Sequence, residues 1–228
     1  DPDILLTACA SIVGLTVPPH YTSEAVAEQN WVQLTQAQFD PIRVSDRLWI
    51  VPSWHEPPDP QAIVLVLDPG MAFGTGSHPT TRLCLEWLEK TVTPGISLLD
   101  YGCGSGILAI AAAKLGAKEV LGVDIDAQAV QAAIDNSERN HVAARFEDSA
   151  KDIQGTFDIV VANILSNPLK ALAPAICGHV RPGGQLALSG ILAEQAEELI
   201  AFYAPYLKLA IHDTRDGWVC LSGTKDSR

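Results

Sequence analysis

Residues 97–126 read SLLDYGCGSGILAIAAAKLGAKEVLGVDID, and the reading of this stretch decides the fold. An apolar run, Ser97-Leu98-Leu99-Asp100, leads into glycines at alternate positions, Gly102, Gly104 and Gly106, and then into an alanine-rich helix former over residues 107–115. Gly116 stops that helix where a left-handed cap is expected, and VLGVD at residues 120–124 forms the next buried strand. Strand, turn, helix and strand within about thirty residues make a βαβ unit, and such units build parallel sheets. The predicted class is α/β, with a Rossmann-like, mostly parallel sheet and helices on both faces.

Glycine has no Cβ, so the turn at Gly102 and Gly104 allows close backbone approach to a ligand, and the first N–H groups of the following helix are expected to face it. Asp124 ends the second strand, where a carboxylate accepts hydrogen bonds from both hydroxyls of a ribose. A nucleoside-bearing ligand fits this arrangement. The dinucleotide fingerprint G-x-G-x-x-G requires a small third residue, whereas this chain has G-x-G-x-G followed by Ile107. The spacing favours S-adenosyl-L-methionine, with an NAD-dependent oxidoreductase as the alternative.

Working outward, residues 127–140 form an amphipathic helix, residues 144–146 a third strand, and FDIVVA at residues 157–162 a fourth strand ending at Asn163. Ligands of open α/β sheets sit beyond the carboxyl ends of strands, so Asn163 shares an edge with Gly102 and Asp124. Asn167-Pro168 reads as the cap and first turn of a helix to about residue 180, bent at Pro174. A turn at residues 181–184, a strand at 185–189 and a helix at 193–204 follow. The chain closes with an antiparallel hairpin, residues 207–214 and 218–224, around Asp216-Gly217.

Upstream, strands are expected at residues 47–51 and 62–67, with a connecting helix from Thr22 or Ser23 to about Gln38. Residues 1–20 form no convincing unit. The expected organisation is residues 1–60 as the remnant of an N-terminal domain, a linker helix and a strand segment, with residues 61–228 as the catalytic domain. Residues 68–81, DPGMAFGTGSHPTT, are dense in glycine and hydroxyls and contain Phe73 and His78, a composition typical of functional loops. His78 is a candidate proton acceptor, but a histidine holding a turn by hydrogen bonds is the stronger reading.

The net charge of −12 argues against a broad phosphate-binding surface and suits a basic protein partner better than nucleic acid. No apolar run reaches the length of a membrane span. Cys9, Cys84, Cys103, Cys177 and Cys220 are scattered without a C-x-x-C pair, so no metal site is expected, and a reducing, cytoplasmic setting is the simple reading. A monomer is expected.

LWIVPSW (residues 48–54), DPGMAFGTGSHPTT (68–81), DYGCGSGILAIAA (100–112), GVDID (122–126), ANIL (162–165) and LSGIL (188–192) together resemble the bacterial ribosomal protein methyltransferase A family. The resemblance spans residues 31–223 and implies a class I S-adenosyl-L-methionine-dependent methyltransferase acting on amino groups, lysine ε-amines and the N-terminal α-amine, of large-subunit ribosomal protein eleven. It implies cofactor roles for Thr81, Gly102, Asp124 and Asn163, with Gly104 in the same turn. It also implies a loop over cofactor and target amine containing Phe73, Gly74 and Thr75. The candidate catalytic residues are Asn163, Phe73 and His78. Family members carry a substrate-recognition domain ahead of the linker helix, little of which is present here. The alternative substrate is another protein or a small molecule. Asn163-Ile164-Leu165-Ser166 lacks the Asn-Pro-Pro-aromatic pattern of base-directed enzymes, which counts against a flipped nucleobase.

Overall fold

The computed structural model describes residues 2–17, 20–22, 39–68, 76–150 and 153–227. The chain divides into two compact units, Asp1–Gln38 and Phe39–Arg228. In the first, Pro2–Ile12 forms helix α1, with Tyr21 donating its hydroxyl to Asp3. This corrects the reading of residues 1–20 as formless: a proline in the first turn, followed by an acidic residue and then LLTACA, satisfies the start rules of a helix. The connecting helix expected to run to Gln38 lies outside the described residues.

The second unit begins with a small sheet. Strand β1 (Ile42–Arg43) pairs antiparallel with β2 (Leu48–Val51), and β2 pairs parallel with β3 (Ile63–Val66). Next come helix α2 (Pro79–Thr91), β4 (Ser97–Tyr101), α3 (Ile107–Lys114), β5 (Glu119–Asp124), α4 (Ala127–Arg139), β6 (Arg145–Asp148) and β7 (Phe157–Asn163). The chain ends with α5 (Ser166–Gly178), β8 (Val180–Leu192), a 3-10 turn (Ala193–Gln195), α6 (Ala196–Tyr203), β9 (Ala210–Arg215) and β10 (Trp218–Thr224).

Seven of these strands form one sheet in the order β6-β5-β4-β7-β8-β10-β9, parallel except for β10, which runs antiparallel to both β8 and β9. Alternation along the central strands sends side chains to two cores. Leu98, Ile159 and Val161 face Leu83, Trp87 and Leu88 of α2, the length of α3, and Leu48, Ile50 and Leu65 of the small sheet. Leu99, Val160 and Ala162 face Leu169 and Ile176 of α5 and Leu199 and Tyr203 of α6. Each such leucine, almost fully removed from water, contributes about 1.5–3 kcal/mol. Both faces are covered, as a parallel sheet requires.

Three local features depart from the expectation. β8 is much longer than residues 185–189: Val180 pairs with Phe157 and Gln185 with Ile159, so Arg181-Pro182-Gly183-Gly184 forms a bulge inside one strand instead of a turn before it. Helix α5 starts at Ser166 after Leu165, whose side chain makes no cap, so Asn167 lies within the first turn and Pro174 within the helix. The third strand extends to Asp148. The closing hairpin is as expected: Asp216 (φ 50°) and Gly217 (φ 78°) are both left-handed, which matches a turn of the twist that joins antiparallel strands. Arg215 donates two hydrogen bonds, of 2.8 and 3.1 Å, to Glu86 and so ties β9 to α2.

Candidate active site

The strand order reverses at β4: β5 and β6 lie on one side of it, β7 and β8 on the other. A crevice opens at such a switch point beyond the carboxyl ends of the strands. Gly102 follows β4 there, Asp124 ends β5 and Asn163 ends β7.

On the β5 side the polar groups are closely paired. The amides of Gly102 and Cys103 both donate to the Val123 carbonyl, at 2.8 and 2.9 Å, and that of Gly106 donates to Cys103 at 2.8 Å. The Gly104 amide donates to Asp124 Oδ2 at 2.9 Å and the Asp126 amide to Asp124 Oδ1 at 3.0 Å. The Ala109 amide, in the first turn of α3, donates to Asp100 at 3.1 Å. The expectation that the first N–H groups of the following helix face the ligand is corrected at Ala109, whose donor serves the fold, as do the donors of Gly102, Cys103, Gly104 and Gly106 in the turn. What the turn offers is close approach and an oriented carboxylate. Each carboxylate oxygen accepts about two hydrogen bonds, so among the described residues Asp124 keeps one position open on each oxygen, the number a ribose diol needs.

Beneath this turn lies Asp100, 1% exposed, with Oδ1 unpartnered among the described residues. Burial pushes its carboxyl up to about 7, against the Ala109 hydrogen bond and with help from the Asp124 charge. Burial likewise pushes the Cys103 thiol up, and the charges of Asp100 and Asp124 add to the effect. A thiolate is disfavoured there, so Cys103 is a small packing residue and not a nucleophile.

On the β7 side the arrangement is looser. Asn163 Nδ2 donates to the hydroxyl of the fully buried Thr81 at 3.4 Å, and Asn163 Oδ1 is buried without a partner among the described residues. Ile164 is wedged between two glycines: a Cβ on Gly102 would stand 2.5 Å from its Cγ2, and one on Gly190 (φ 86°) would stand 2.3 Å from its carbonyl oxygen. His78 is the N-cap of α2. Its Nδ1 accepts from the Thr80 amide at 3.3 Å and lies 2.7 Å from the Thr80 hydroxyl, and its ring meets Trp218 edge-on with centroids 4.7 Å apart. The Thr80 amide and hydroxyl thus engage Nδ1, and His78 steadies the start of α2.

These two sides form one cavity of about 840 Å³, large enough for a cofactor and an acceptor side chain together. Of the residues anticipated from sequence, His78, Gly102, Gly104, Asp124 and Asn163 line it, whereas Thr81 stands behind Asn163. Phe73, Gly74 and Thr75 lie outside the described residues. The cavity also takes in Trp218, Leu165 and Gly190, which the sequence placed only within a strand or a motif. Leu165 is 68% exposed, a large apolar side chain at the mouth of the cavity. Among the described residues no cluster of histidine, cysteine or carboxylate side chains is placed to hold a metal ion, and no helix is long and apolar enough to cross a membrane.

The switch-point crevice, the glycine turn with the Asp124 carboxylate held beside it, and the seven-stranded sheet with an antiparallel end define a class I S-adenosyl-L-methionine-dependent methyltransferase. Residues 4–226 match the family described as ribosomal protein L11 methyltransferase (PrmA). The chain belongs to that family. It is 68% identical over 225 residues to the ribosomal protein L11 methyltransferase of Dechloromonas aromatica and 59% identical over 225 residues to that of Ralstonia nicotianae, covering 99% of this chain and 76% of each relative. Among solved structures, the ribosomal protein L11 methylase of Lactobacillus delbrueckii subsp. bulgaricus superposes with a TM-score of 0.76 at 34% identity, over 82% of this chain and all of that one. A 16S rRNA N2 G1207 methyltransferase of T. thermophilus, solved with AdoMet and guanosine, superposes with a TM-score of 0.58 at 25% identity, over 68% of this chain and 45% of that one.

Proposed function

We propose that the chain transfers methyl groups from S-adenosyl-L-methionine to amino groups of ribosomal protein L11, lysine ε-amines and the N-terminal α-amine, and that the two sides of the cavity divide the work. The observation that carries this reading is the placement of Asp124 and Asn163 on either side of the Gly102 turn in one cavity. The residues fit the cofactor: among the described residues Asp124 has two acceptor positions left for a ribose, and Gly102 lines the cavity as bare backbone, with Ile164 filling the place of a Cβ. The bound cofactor supplies a sulfonium methyl, already a strong electrophile, so the protein contributes alignment and exclusion of water. Asn163 accepts a hydrogen bond from the amine through Oδ1, with Thr81 fixing which end of the amide points inward. His78 is placed with the catalytic residues as a positioning group, setting the start of α2 and hence Thr81. The family resemblance assigns Phe73, Gly74 and Thr75 to the loop that serves cofactor and amine.

An ε-amine has an ordinary pKa near 10.4, so the reactive neutral form is scarce at neutral pH, and rate should rise as pH approaches that value. The catalytic part is assigned to residues 61–228, which share one compact unit with the strands β1 and β2 that precede them. The acidic chain acts in the cytoplasm as a monomer on a basic ribosomal protein, without binding nucleic acid directly.

Intact-mass measurement of unmethylated ribosomal proteins incubated with this chain and S-adenosyl-L-methionine tests the reading. Methyl-sized increments on L11 alone support it. Increments on another protein, or none on L11 while S-adenosylhomocysteine still binds, would contradict the substrate assignment.

A further inference from the structure

We propose that Asn136, on α4 and outside the lining of the cavity, is a positioning residue for the cofactor turn. The proposal rests on the reading of Gly102, Gly104 and Asp124 as the cofactor site. Asn136 Nδ2 donates to the carbonyl oxygen of Ser105 at 2.9 Å, and its Oδ1 accepts from Arg139 at 3.2 Å. Asn136 is 9% exposed and Ser105 4%, so water does not substitute for this bond.

The bond matters because of the peptide plane it holds. The Ser105 carbonyl and the Gly106 amide belong to one planar unit, which points its oxygen at Asn136 and its N–H at the Cys103 carbonyl, 2.8 Å away. Gly106 sits at φ 78°, a conformation reached only by turning that plane, and it is the N-cap of α3 with no side-chain cap to steady it. Two residues before Gly106, the Gly104 amide carries the bond to Asp124 Oδ2. The β5 side anchors the turn through Val123 and Asp124, and Asn136 anchors it from α4. Without the second anchor the plane rotates, Gly104 shifts, and Asp124 loses the donor that orients it toward the ribose.

Asn140, one turn later on the same helix, supplies the control. It is 4% exposed and also forms buried side-chain hydrogen bonds, but with β3: it accepts from the Val66 amide at 2.8 Å and donates to the Val66 carbonyl at 2.7 Å. It is linked to the Asn136 carbonyl, at 2.8 Å, and not to the turn. Two buried asparagines on one helix thus have comparable structural weight and different addresses.

The test is calorimetric titration of S-adenosylhomocysteine into the full chain and into its Asn136→Ala, Asn136→Asp and Asn140→Ala variants, with thermal unfolding of each and methyl-transfer kinetics on L11. Asn136→Asp keeps the size and the acceptor for Arg139 while losing the donor to Ser105. Both Asn136 variants should bind about five- to tenfold more weakly and raise KM for the methyl donor by a similar factor at nearly unchanged kcat, whereas Asn140→Ala should lower Tm at unchanged affinity. Unchanged affinity in a folded Asn136→Asp protein, or an equal loss of affinity in Asn140→Ala, would overturn the proposal. Absence of binding by the wild type would overturn the cofactor reading itself, and this role with it.

Discussion

The two sides of the cavity are built differently. On the β5 side the turn residues Gly102 to Gly106 and the carboxylate of Asp124 are held by short, local hydrogen bonds, most of them within one βαβ unit. On the β7 side Asn163 is held by one long bond to Thr81, eighty-two positions away in sequence, and keeps a buried acceptor unpartnered among the described residues. A paired site recognises a ligand that is the same in every turnover. A buried acceptor left open costs about 1–3 kcal/mol and persists where a passing substrate satisfies it.

If this division is right, substitutions on the two sides should fail in different kinetic terms. The largest effect is expected for Asn163→Ala, which removes the acceptor aligning the amine: kcat should fall about a hundredfold, read in single-turnover methylation of L11. Next is Asp124→Asn, expected to weaken cofactor binding by about 1.5–3 kcal/mol in calorimetry through loss of charge-assisted bonds to the ribose. Gly190→Ala forces a left-handed residue and drives a Cβ into the Ile164 carbonyl; it should cost about 1–3 kcal/mol in thermal unfolding and lower kcat more than it raises KM for the methyl donor.

A fourth expectation concerns Asp100, which lies under both sides. Its folded pKa, raised to about 7, lies above the ordinary carboxyl value, so the folded state holds the extra proton between about pH 4 and 7. The corresponding stability is fully present below about pH 4 and is lost as pH rises through about 7. Wild-type Tm should therefore decline between pH 5 and 8, and Asp100→Asn should flatten that slope in parallel melts. The smallest effect is expected for Cys103→Ala, which removes a buried, non-nucleophilic thiol and should leave methyl transfer within about twofold.

The contrast between the two sides also explains what the sequence revealed. The glycine turn, both flanking strands and Asp124 were legible because the geometry is encoded locally: alternating glycines open left-handed backbone that other residues rarely adopt, and Gly102, Gly104 and Gly106 all adopt positive φ. Asn163 was legible as the last residue of an apolar run. Trp218 was not, because β10 reaches the cavity by antiparallel insertion between β8 and β9, a choice that hairpin signals alone leave open. His78 was legible in kind, as a histidine that holds a turn by hydrogen bonds, and the structure adds that this turn is the start of α2, with an imidazole doing the work of a capping hydroxyl. The bulge at Arg181-Pro182-Gly183-Gly184 shows the same limit, since a Pro-Gly-Gly run signals a break but not whether the strand resumes in register.

One measurement tests the division most directly: side-by-side titration of S-adenosylhomocysteine into the Asp124→Asn and Asn163→Ala proteins. The account predicts that the first loses affinity by an order of magnitude or more while the second binds within about twofold of wild type. Equal losses in both, or intact binding in the first, would contradict it.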